Sequence, residues 1–126
     1  MKKLLIIAGV VAALSIFNIF SQDKNIKQMT TEELKVKQKT DSSLVILDVR
    51  SPAELQGELG HIDKVLNIPV QELEHRLGEL DKYKSKEIYV VCRSGHRSMS
   101  ASQILSQNGF TPVNIKGGMI AYRSAK

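Results

Sequence analysis

Glu87-Ile88-Tyr89-Val90-Val91-Cys92-Arg93-Ser94-Gly95-His96-Arg97-Ser98 is the stretch from which the rest of the chain can be ordered. Its first half is an apolar, β-branched run, the strongest strand signal present. Its second half is a tight polar loop. From Ser98 to Asn108 the residues Ala101, Ile104 and Leu105 fall on one side of a helix, and Gly109 stops it. Strand, short loop and helix together are the repeating unit of a parallel sheet. Such sheets receive ligands outside the carboxyl ends of their strands, and Cys92 lies at that end of this one.

The loop that follows Cys92 has chemistry of its own. A turn from strand end to helix start aims several backbone N–H groups at one point. The helix dipole adds partial positive charge there, and Arg93 and Arg97 add full charges. All of these favour a thiolate over a thiol, so the Cys92 pKa is expected to be lowered. Arg93, Ser94, Gly95, His96, Arg97 and Ser98 form a cradle for an anionic substrate group, in which Gly95 lets the backbone curl. A single cysteine is most often an inert small hydrophobe. An electropositive turn is the setting that activates one, so Cys92 is read as a nucleophile. His96 is not assigned as a general base.

Working outward, the other elements fit the same plan. Thr30 with Glu33 is a capping-box pattern, which predicts a helix over 31–39. Leu44 to Val49 is a nearly continuous apolar run, suited to a strand buried on both faces. Ser51, Pro52 and Glu54 open a short helix that Gly57 and Gly60 break. Val65 to Ile68 reads as a brief strand. Leu73, Leu77 and Leu80 predict an amphipathic helix. Val113 to Ile115 is a last strand, and Gly117-Gly118 leads into a helix from about Met119. Alternation of strands and helices predicts an α/β fold with a parallel sheet covered on both faces.

The N-terminus differs in kind. Met1-Lys2-Lys3 is a short positive start, and the apolar run Leu4 to Phe20 is broken only by Gly9, Ser15 and Asn18. This is the layout of a secretory signal peptide, with Ser21 before a cut and Gln22 as the mature terminus. Residues 1–21 are therefore expected to be a signal segment and 22–126 one domain, periplasmic or secreted. An uncleaved anchor facing the periplasm is the alternative, and only then is a membrane a partner.

Composition narrows the function further. The formal charge of +5 is spread along the chain, tryptophan is absent, and the few aromatics do not interleave with the basic residues. That lacks the footprint of nucleic-acid binding. One cysteine allows neither an internal disulfide nor a cysteine-based metal cluster, and His61, His75 and His96 lack metal-ligand spacing.

Three blocks together resemble the rhodanese family: Leu47-Asp48-Val49-Arg50 with Glu54, then Gly60-His61-Ile62 with Asn67-Ile68-Pro69, then Cys92 to Ser98 with Ala101, Leu105, Gly109-Phe110 and Gly117-Gly118. They stand in the family's order and span nearly all of the proposed mature chain. The exported single-domain form is most similar to the phage-shock protein E type. The resemblance implies a five-stranded parallel sheet between helices, with no metal and no organic cofactor. It implies a sulfurtransferase in which Cys92 takes sulfane sulfur from a small donor such as thiosulfate, becomes a persulfide, and yields the sulfur to cyanide or a cellular thiol. A thiol redox protein is a compatible partner. Asp48 and Arg50 would organise the site from the neighbouring strand. The chain departs from the family pattern in two extra residues between Glu54 and Gly60, in Asp63-Lys64-Val65, and in Tyr122 where tryptophan is common. The rival readings are a phosphatase or arsenate reductase of the same fold, and a non-catalytic binding module. The phosphatase loop is C-x5-R, whereas Cys92 to Arg97 is C-x4-R, and a tighter cradle suits sulfur better. Arsenate reduction normally draws on further thiols.

Overall fold

The computed structural model describes residues 25–125; the expected signal segment and its cut before Gln22 lie outside them. Five strands form one sheet: β1 (Lys27–Met29), β2 (Val45–Asp48), β3 (Leu66–Asn67), β4 (Glu87–Val91) and β5 (Thr111–Ile115). Their spatial order is β1-β5-β4-β2-β3, and every pairing is parallel. Among the described residues four α-helices connect or follow them: α1 (Thr31–Thr40), α2 (Pro52–Leu55), α3 (His96–Gln107) and α4 (Gly118–Ser124).

The central strands β2 and β4 are buried on both faces, which explains why their sequences are continuous apolar runs rather than alternating ones. Leu47, Ile88 and Val90 face Ala101 and Leu105 of α3, and Leu73 and Leu80 close that layer. Ile46, Tyr89, Val91, Val113 and Ile115 face the other way, onto Leu34 of α1 and Met119 of α4. Helices on both faces leave the carboxyl ends of β2, β4 and β5 as one open rim.

Local signals set several boundaries as expected. Thr30 Oγ1 accepts from the Glu33 N–H at 3.1 Å and caps α1. Ser51 and Glu54 form the complete capping box of α2, with Pro52 at its first position.

Three readings need correction. The helix expected over Leu73–Leu80 is two 3₁₀ segments, Val70–His75 and Leu77–Tyr83, separated at Arg76. Leu73 and Leu80 are buried as the periodicity requires, but Arg76 turns out to φ −123° and Gly78 follows. The first strand, β1, was not expected. It is three residues long and two of them are exposed, so it carries no hydrophobic pattern. Helix α3 also starts at His96, two residues earlier than its apolar periodicity predicts.

Candidate active site

Cys92 directly follows β4 and is 1% exposed. The chain then bends through Arg93 and Ser94 to Gly95, whose φ of +109° is a left-handed conformation that glycine adopts without strain. That bend returns the backbone over the sulfur: the Gly95 N–H donates to Cys92 Sγ at 3.0 Å. Ser98, fully buried in the first turn of α3, puts its Oγ 3.3 Å from the same sulfur. The hydroxyl accepts from a thiol and donates to a thiolate.

These contacts decide the ionisation of Cys92. Burial alone would raise its pKa. The Ser98 hydroxyl and the backbone N–H groups of Ser98, Gly95 and Ser94 outweigh it, and the thiol is held below its ordinary value. The expected lowering is present, and its carriers are chiefly hydrogen bonds from the loop.

The two arginines of the loop have different surroundings. Arg93 is exposed. Arg97 is half-buried and forms a bidentate pair with Glu54, Nη1 to Oε1 at 2.7 Å and Nη2 to Oε2 at 2.8 Å. The Arg97 guanidinium pulls the Glu54 carboxyl down to about 2, against the smaller opposing effect of burial. Arg97 therefore offers the cradle a charge already shared with a carboxylate. Ser94 and His96 are exposed and touch each other, Oγ to Nδ1 at 3.3 Å.

Asp48 and Arg50 do not line the loop with free groups. They form a buried pair, with Arg50 Nε 3.0 Å and Nη2 2.8 Å from the carboxylate oxygens. Arg50 Nη2 also donates to the Gly60 carbonyl at 2.7 Å, and Nη1 to the Glu54 carbonyl at 3.4 Å. The pair thus fastens the 54–60 segment, and with it Glu54, against the end of β2. Asn67 adds a second fastening, donating to the carbonyls of Asp48 and Arg50 at 2.9 Å each.

Two parts of this arrangement were not read from the sequence as site residues. Glu54 belongs by sequence to the capping box and to the first rhodanese block, neither of which gives it a role at the loop, yet the same carboxylate serves Ser51 and Arg97. Gly118 lies against the backbone of the loop: a Cβ there would stand 2.4 Å from the Cys92 carbonyl oxygen. That close approach lets the first N–H groups of α4 reach the loop, Met119 to the Cys92 carbonyl at 2.8 Å and Ile120 to that of Arg93 at 3.1 Å. The Gly117-Gly118 dipeptide was the available signal for such a contact.

The profile of the rhodanese-like domain family matches residues 30–125, which includes every group just described. The chain belongs to the rhodanese-like family. A sulfurtransferase of Allochromatium vinosum is 31% identical to it over 98 residues, covering 77% of this chain and 88% of its own. The thiosulfate sulfurtransferase PspE of Escherichia coli is 36% identical over 73 residues, 58% of this chain and 68% of its own. The crystal structure of a rhodanese-like domain protein from Staphylococcus aureus aligns with a TM-score of 0.70 at 34% identity, covering 77% of this chain and 91% of that one. The activity class of this rhodanese-like chain is sulfur transfer.

Proposed function

We propose that the chain is a thiosulfate sulfurtransferase that carries sulfur as a persulfide on Cys92. The observation that bears most weight is the setting of its sulfur: ionisation favoured, Gly95 N–H at 3.0 Å, Ser98 hydroxyl at 3.3 Å, and burial at the floor of the loop. The Cys92 thiolate attacks the outer sulfur of thiosulfate. A new S–S bond forms, the S–S bond of thiosulfate breaks, and sulfite leaves with the electron pair. The persulfide formed is again an anion, and the same loop N–H groups stabilise it. Cyanide or a thiolate then attacks the outer sulfur, and Cys92 departs as thiolate. Arg93, Ser94, Gly95, His96, Arg97 and Ser98 make the cradle for the donor, while Asp48 and Arg50 hold the wall that carries Glu54.

Donor and acceptor never meet in this scheme. Steady-state velocities with thiosulfate and cyanide should give parallel double-reciprocal lines, the ping-pong pattern. Intersecting lines would replace the persulfide with a ternary complex. Hydrolysis of aryl phosphates in place of sulfur transfer would favour the phosphatase reading.

Export belongs to the same proposal. The positive start and apolar run of residues 1–21 support secretion with cleavage before Gln22. Fractionation of a Gram-negative host should find the shortened chain in the periplasm. Intact chain in the membrane would indicate the anchor, and cytoplasmic recovery would contradict both.

A further inference from the structure

One groove beside the active loop shares Ser94, Gly95 and His96 with the donor cradle and extends past it to residues that the scheme above does not use. It holds about 450 Å³, a volume suited to a small molecule. It runs at the carboxyl end of the sheet, between Gln28 on the edge strand β1 and His96 and Met99 in the first turn of α3. Asn114 of β5 and Lys116 line it, and Gly95 belongs to the same wall. Gly95 is also the residue whose N–H holds the Cys92 sulfur, so a single residue of the loop stands between the groove and the reacting atom.

Asn114 is the unusual member. It is 3% exposed, and its Nδ2 donates to Gln28 Oε1 at 3.4 Å. Its Oδ1 is buried with no hydrogen-bond partner among the described residues. Leaving a buried acceptor unpaired costs about 1–3 kcal/mol, and such groups are rare enough to ask for an explanation. A ligand N–H supplied from the groove would satisfy it. No acidic side chain lines the groove, whereas Lys116 and His96 do. A carboxylate is therefore favoured beside that N–H and an ammonium is not.

We propose that this groove is the acceptor subsite, shaped for a small thiol that carries an amide N–H and a carboxylate, as a cysteinyl peptide does. The inference rests on the persulfide reading. The acceptor's thiolate, its proton given up to solvent, attacks the outer sulfur of the Cys92 persulfide. The acceptor leaves as a persulfide, and Cys92 retains the electron pair of the broken S–S bond. Asn114 Oδ1 receives the acceptor's amide N–H, and Lys116 faces its carboxylate.

A matched pair of acceptors isolates the amide. N-acetylcysteine has thiol, carboxylate and amide N–H; 3-mercaptopropionate lacks only the acetamido group. With the protein preloaded from thiosulfate, kcat/KM for discharge should favour N-acetylcysteine by about fivefold, the effect of one hydrogen bond. Asn114→Leu should remove that preference, and Asn114→Asp, which keeps an acceptor atom, should retain it. Should Asn114→Leu fail to fold, Lys116→Glu tests the same groove: the KM of both carboxylate thiols should rise several-fold relative to neutral 2-mercaptoethanol. Equal rates for the matched pair in the wild-type protein, or a preference that survives Asn114→Leu, would overturn the subsite and leave Asn114 bound to an ordered water. Failure to load sulfur from thiosulfate is a separate result, and it would strike the persulfide reading instead.

Discussion

Two arginine–carboxylate pairs stand near the rim of the sheet. Asp48 and Arg50 are two residues apart and essentially fully buried, at 0% and 1% side-chain exposure. Glu54 and Arg97 are 43 residues apart and about one-third exposed. Both make two short N–H···O bonds, Arg50 through Nε and Nη2 and Arg97 through Nη1 and Nη2, but their surroundings differ. Every bond of the Arg50 guanidinium is made to the protein, to Asp48 and to two carbonyls of the 54–60 segment. Water still reaches the Arg97 pair, and it sits on the loop that holds Cys92. Desolvation thus separates a pair that fixes the backbone from a pair that adjusts charge at the cradle.

Breaking the buried pair should have the largest effect. Asp48→Ala leaves the Arg50 charge uncompensated in the interior, and urea unfolding should show a loss of about 3–5 kcal/mol. A loss under 1 kcal/mol would mean that water already reaches Arg50. Gly118→Ala touches neither pair but strains the loop: its new Cβ collides with the Cys92 and Arg93 backbone, and its φ of +56° disfavours a side chain. Sulfur transfer should fall roughly a hundredfold, the scale of a misplaced nucleophile, read as thiocyanate formation from thiosulfate and cyanide.

The half-exposed pair should produce smaller and opposite changes. Arg97→Ala strips Glu54 of its partner and leaves a bare carboxylate beside the cradle, so the thiosulfate KM should rise several-fold. Glu54→Gln frees the Arg97 charge, and the KM should fall about threefold. The double variant removes both charges, so its KM should lie near the wild type, and a KM several-fold away from it would contradict the charge account. The smallest effect is in pH. The Glu54 carboxyl is lowered from 4.5 to about 2 in the folded chain. A depressed carboxyl stabilises the fold fully above 4.5, and that stability is lost as the pH falls toward 2. After solvent screening the contribution is about 1 kcal/mol. Acid titration of the melting temperature should show this slope in the wild type and lose it in Arg97→Ala.

The central unit was legible because its signals are local. A buried strand, a glycine at the turn and an amphipathic helix follow one another directly, and all point to the structure found between Glu87 and Gln107. What escaped depends on contacts distant in sequence. Nothing in residues 93–98 announces that Arg97 meets Glu54. The edge strand β1 forms only because β5 offers it a partner, and its own residues are largely exposed. The segment from Val70 to Tyr83 keeps helical spacing of its leucines while its backbone tightens into 3₁₀ turns, so spacing found the buried side chains and misjudged the element.

The most direct test of the account is the mass of the protein after incubation with thiosulfate and no acceptor. The account predicts a gain of one sulfur atom, located at Cys92 by fragmentation, removed by cyanide with release of thiocyanate, and absent in Cys92→Ser. That variant should remain folded, since the replacement is nearly isosteric and Met119 and Ile120 still hold the loop backbone. An unchanged mass in folded, reduced wild-type protein, or added sulfur that persists in Cys92→Ser, would contradict it.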